Sequence, residues 1–118
     1  MIIYNRTPHP IYVLEEDKET VRLVIPPRQP AIRVEEINTP AKEICGVPTC
    51  DTSYGEINLP DAQEGVYYIV SKLVQIANPS RWDLLAPGGI VRDRRGQVMG
   101  CTNLSRYVRE PGGDSFAP

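Results

Sequence analysis

A chain of 118 residues, 41% apolar and 24% charged, has room for one modest core, and its 12 prolines and 9 glycines argue against long helices. A net charge of −2 is the wrong sign for a general DNA or RNA binder. No apolar run reaches the roughly 18 residues of a membrane helix, the N-terminus has no signal-peptide pattern, and three cysteines leave one unpaired in a monomer, which favours a reducing cytoplasm.

Met1 to Tyr4 reads as a short first strand, and Asn5-Arg-Thr-Pro-His-Pro10 as a turn with two prolines that block a helix. Ile11 to Leu14 and Val21 to Ile25 are strand-like runs joined by a charged connection, a predicted hairpin. Pro26 to Pro30 is a stiff extended loop. Ala31 to Ile37 alternates apolar and charged residues, as a half-buried strand does. Residues 38–53 resist assignment: Pro40 and Pro48 interrupt them, with a short strand expected at Ile44 to Val47. Tyr54 to Leu59 is another strand candidate, and Pro60 to Gly65 a polar turn.

The chain is organised around residues 66–85. Val66 to Val70 is a β-branched and aromatic run that suits a buried strand. Ser71 is a good N-cap for a short helix whose predicted buried face is Leu73, Val74 and Ala77, and Asn78-Pro79 ends it. Arg81-Trp82-Asp83 follow on a loop. Pro87-Gly88-Gly89 is expected to turn. Ile90 to Asp93 and Gln97 to Cys101 should pair as a hairpin around Arg94-Arg95-Gly96, with Gly96 supplying a positive φ. Leu104 to Val108 is a predicted last strand, and 110–118 a loose tail or oligomer arm. The expected fold is one α+β domain over 1–109, small and β-rich, of mostly antiparallel strands with one short helix. So many short strands leave edges that predict a homo-oligomer.

Catalytic and metal chemistry find little support. Cys45 and Cys50 are spaced as C-x4-C, but a structural zinc site needs a second close pair, and Cys101 with His9 is not one. His9 is the only histidine and lies between prolines, so a nucleophile–histidine pair has one poor choice of base. There is no phosphate-binding glycine motif. The expectation is a protein without cofactor that is not an enzyme.

Binding is better supplied. Ten of the 13 cations are arginine, which suits bidentate recognition of phosphate. Residues 1–80 hold seven cations and eleven carboxylates, and residues 81–118 hold six and four. The candidate ligand residues are Arg28, Arg33, Arg81, Arg92, Arg106 and Arg109 for anionic groups, Trp82 for ring stacking, and Ser71 at a helix N-terminus. Each has a plainer reading: Ser71 as a simple cap, Trp82 as a plug at the core edge, Arg92 as a hairpin ion pair with Asp93.

Tyr68-Ile-Val-Ser71, Val74, Ala77, Arg81-x-Asp83-Leu84, Pro87, Val91-Arg92-Asp93, Gly96 and Gly100-Cys101 form a pattern along the C-terminal half. With Asn5-Arg-Thr-Pro-His9 and Gly55-Glu-Ile-Asn-Leu-Pro60, it resembles small phage-encoded proteins, among them the anti-Thoeris sponges. The resemblance implies sequestration, without cleavage, of a cyclic ADP-ribose isomer, with cyclic oligonucleotides as a further ligand class, in the cytoplasm of an infected bacterium. It also implies pockets between subunits, with arginines on the phosphates and an aromatic on adenine. The alternative is a structural or protein-interaction module of a phage or prophage, in which Arg81-Trp82 would be an interface hot spot.

Overall fold

The computed structural model describes residues 1–108. The N-terminal strand β1 (Ile2–Asn5) lies parallel to β6 (Val66–Ile69), with Tyr4 opposite Tyr68. The apolar and aromatic residues of β6 place it inside a six-stranded sheet of order β1-β6-β7-β8-β2-β3. Here β7 is Leu84–Arg92, β8 Val98–Ser105, β2 Ile11–Leu14 and β3 Val21–Ile25. The pairings β7–β8 and β2–β3 are antiparallel, whereas β1–β6, β6–β7 and β2–β8 are parallel. The fold is α+β and β-rich, as expected.

The parallel step from β6 to β7 requires a crossover, and the helix α1 (Lys72–Ala77) supplies it. Ser71 is extended, and its Oγ accepts from Val74 N at 3.3 Å. Asn78, restrained by Pro79, closes the helix and donates from Nδ2 to Val74 O at 2.9 Å. The buried face is not the expected Leu73–Val74–Ala77: Val74 and Gln75 are buried, while Leu73 and Ala77 are exposed. Gln75 turns inward because its Nε2 donates to Leu84 O at 3.2 Å and Ser105 O at 2.7 Å, tying the helix to β7 and β8.

Ile32, Tyr68, Val70, Val74 and Leu84 form the core, with Tyr4, Val34, Ile57, Leu59 and Val66 packed around them. Residues 26–33 reach that core by following β1: Arg28 N donates to Asn5 O at 2.7 Å and Ile32 N to Arg6 O at 2.8 Å. Buried Asn5 fastens the opposite side, donating from Nδ2 to His9 O at 2.8 Å and Ile25 O at 2.9 Å.

Two local expectations are corrected. Pro87-Gly88-Gly89 does not turn but continues β7, because Pro87 and Gly88 pair with Leu104 and Asn103 of β8, and this pairing outweighs the local turn chemistry. Residues 38–53 are not broken by their prolines. They belong to a ribbon of two 11-residue strands, β4 (Val34–Ile44) and β5 (Val47–Ile57), which form a sheet of their own. Both strands are edges, so Pro40 and Pro48 fit wherever no ladder N–H is required. Ile44 to Val47 is the ribbon's turn rather than a strand: Cys45 (φ 52°) and Gly46 (φ 78°) both take the left-handed conformation that a tight two-residue hairpin demands. The predicted strand at 104–108 is the end of β8, which stops at Ser105.

Candidate binding site

Two features at the carboxyl ends of the parallel strands invite a ligand. The first is a cluster of arginines and tyrosines. Tyr4 and Tyr68 face each other across β1 and β6 with ring centroids 6.1 Å apart. Arg28, carried there by the loop along β1, lays its guanidinium 4.4 Å from the centre of the Tyr4 ring. Arg6 lies 6.0 Å from the Tyr4 ring and 5.8 Å from Tyr68. Each cation–ring contact is worth about 0.5–1 kcal/mol at an exposed site.

The electrostatics of this cluster are unbalanced. Among the described residues, neither Arg6 nor Arg28 has a carboxylate within ion-pair distance. Arg6 donates from Nη1 to Pro30 O at 3.2 Å, and its buried Nε has no hydrogen-bond partner among the described residues. Two like charges set over adjoining rings, with no counter-ion among the described residues, favour a bound anion.

The second feature is an apolar hollow of about 700 Å³. Thr7 to Tyr12 wall one side, Val70, Ser71 and Pro87 another, and Ile90 with Val98 to Cys101 close it. Loops that follow β1 and β6 shape it, the usual location of ligand crevices beside parallel strands.

Among the described residues, only Arg28 and Ser71 of the eight sequence-predicted ones fall within these features. Arg28 is in the tyrosine cluster, and Arg33 follows on the same loop, with its backbone N donating to Asn58 Oδ1 at 3.1 Å. Ser71 caps α1 and lines the hollow. Arg81 grips buried Asp83 with both prongs of its fork, Nε at 2.8 Å and Nη2 at 2.7 Å, and Nη2 also reaches Pro60 O at 2.8 Å. The Asp83 carboxylate accounts first for a guanidinium pKa raised above its ordinary value. That fork holds the loop before β7 in place.

Trp82 is half-buried, with its ring edge-on to Tyr67 at 5.7 Å. Arg92 does not bond Asp93; its Nη1 donates to Gly96 O at 2.8 Å, while Asp93 Oδ1 accepts from Arg95 N and Gln97 N inside the turn. Arg106 is half-buried just past β8, and Arg109 lies outside the described residues, as does the tail expected from residue 110. Arg6 and Tyr4 were not among the predicted residues. The available signal was the strand-then-turn step at Tyr4-Asn5-Arg6, which delivers side chains to a strand's carboxyl end.

Among the described residues, no three His, Cys, Asp or Glu side chains are grouped to hold a metal ion, and no helix is long and apolar enough to cross a membrane. No family model, curated protein or solved structure matches the chain.

Proposed function

We propose that the protein binds, without cleaving it, a small signal that carries both phosphate and an aromatic base. The observation that supports this reading is the pair Arg6 and Arg28, set over Tyr4 and Tyr68 with no carboxylate partner among the described residues. Guanidinium groups engage phosphate bidentately, and the exposed Arg28 guanidinium, laid over the half-buried Tyr4 ring, offers a base a planar cationic face. Taken with the phage-protein resemblance, the ligand class is a cyclic ADP-ribose isomer or a cyclic oligonucleotide. The role is that of an anti-defence sponge in the host cytoplasm, working as a homo-oligomer.

The test is retention. Protein incubated with ADP-ribose isomers and cyclic oligonucleotides, stripped of free ligand and then denatured, should return one of them chemically unchanged by mass spectrometry. Arg28→Ala should weaken binding roughly 10- to 100-fold, the effect of about 1.4–2.8 kcal/mol. Arg28→Lys should restore part of it, because lysine keeps the charge but loses the fork. Retention of no nucleotide, or recovery of a cleavage product, overturns the reading.

An interaction module is the second reading, and the β4–β5 ribbon favours it. Ile37, Ile44, Val47 and Tyr54 are all exposed on this ribbon.

A further inference from the structure

The ribbon β4–β5 and the hollow are complementary features of one chain that do not meet within it. Val34 and Ile57 anchor the ribbon at the core. From there the 11-residue strands extend about 33 Å, at roughly 3.3 Å per residue. At the tip, Ile44 and Val47 pair across the turn, 60% and 59% exposed. A two-stranded ribbon is at best marginally stable alone in water, so a tip this apolar calls for cover. The hollow presents the converse shape: its rim residues Tyr12, Ile90, Val98 and Met99 are exposed, and no ribbon residue lines it.

Charge points the same way. Among the ribbon's described side chains, Glu35, Glu36, Glu43 and Asp51 stand against the single cation Lys42. Ile90 and Val98, which line the hollow, flank the β7–β8 turn, where Arg92 pairs with Val98 and Arg92, Arg94 and Arg95 are exposed. An acidic finger with an apolar tip therefore matches an apolar socket with a basic turn beside it, and both belong to every copy.

We propose that the β4–β5 ribbon of one copy docks on a second copy, with Ile44 and Val47 seated in the hollow and the acidic strands against the Arg92–Arg95 turn. Reciprocal exchange gives a closed two-fold pair, each copy lending an arm and receiving one. This contact deepens the oligomer expectation above and does not depend on which ligand binds.

Sedimentation equilibrium and native mass spectrometry on the full chain test it. The wild type should be dimeric or larger at micromolar concentration. Ile44→Glu/Val47→Glu at the tip and Met99→Glu at the socket should each raise the dissociation constant at least tenfold. These side chains are exposed in the single copy, so circular dichroism and thermal melting should stay near wild type. Mixing the tip variant with the socket variant is the decisive arm. The mixed pair regains one intact arm-in-socket contact and should form in preference to either homodimer.

A wild type that is monomeric at micromolar concentration would sink both the oligomer reading and this interface. A wild-type oligomer that survives either variant, or a mixture that shows no preferred heterodimer, overturns only the interface.

Discussion

The six-stranded body and the β4–β5 ribbon are both held by strand pairing, but only the body combines pairing with burial. In β6, four residues run from half-buried to fully buried, and their neighbours supply the core. In β4, ten of the 11 residues are exposed, although the ladder to β5 runs almost its whole length. Backbone hydrogen bonds alone contribute little net stability, because they replace bonds to water. The comparison separates a framework that stands by itself from an extension whose apolar residues await a surface.

The cysteines break that comparison most sharply if it is wrong. Cys101 is buried in the body, and burial pushes its thiol pKa up, while Cys45 and Cys50 are exposed on the ribbon. At pH 8 an alkylating reagent should label the ribbon pair on the order of a thousandfold faster than Cys101, whose reaction must await opening of the sheet. Comparable rates at all three would deny the body its rigidity.

The next effect is the buried carboxylate. Asp83→Ala strands the Arg81 guanidinium, and urea denaturation should record a loss of about 3 kcal/mol, the low end of the range for a broken buried pair because Arg81 keeps a fifth of its surface in water. A loss below about 1 kcal/mol would mean the fork is dispensable.

Two glycines then separate the regions. A Cβ at Gly100 would stand 2.6 Å from the Tyr12 carbonyl oxygen, so Gly100→Ala must push β2 from β8 and should cost about 1–3 kcal/mol of body stability. A Cβ at Gly46 meets nothing, but its φ of +78° strains any side chain. Gly46→Ala should loosen the ribbon's amide exchange by about 1 kcal/mol and leave the body's unfolding midpoint in place. A common drop in both would show that ribbon and body unfold together.

The smallest effect is local. Asp17, in the β2–β3 turn, accepts from the Thr20 hydroxyl first and from the Thr20 and Glu19 amides, which hold its pKa below the ordinary carboxylate value. A depressed folded pKa means that the turn's extra stability is present above the unfolded pKa and is lost as pH falls through the folded one. An NMR titration should find the Asp17 midpoint below the usual carboxylate range, with the Thr20 amide shifting alongside it. A midpoint at or above that range would remove these bonds from solution.

Local chemistry was legible wherever one residue type controls one backbone choice. Ser71 and Asn78-Pro79 bound the helix, Gly96 takes its positive φ of 81°, and the β2 and β3 boundaries follow the apolar runs. Tertiary structure decided what depends on distant partners. Gln75 became a core residue because carbonyls of Leu84 and Ser105 await its amide, and Pro87-Gly88 stayed extended because β8 pairs with it. Prolines at 40 and 48 read as breaks because proline costs a ladder bond in a central strand, and only the ribbon's isolation shows that no such bond is needed. The same holds for the arginines. Their abundance is plain in the chain, but among the described residues a guanidinium is a structural clasp at Arg81 and a charge without a carboxylate at Arg6 and Arg28 because of which groups folding brings within 4 Å.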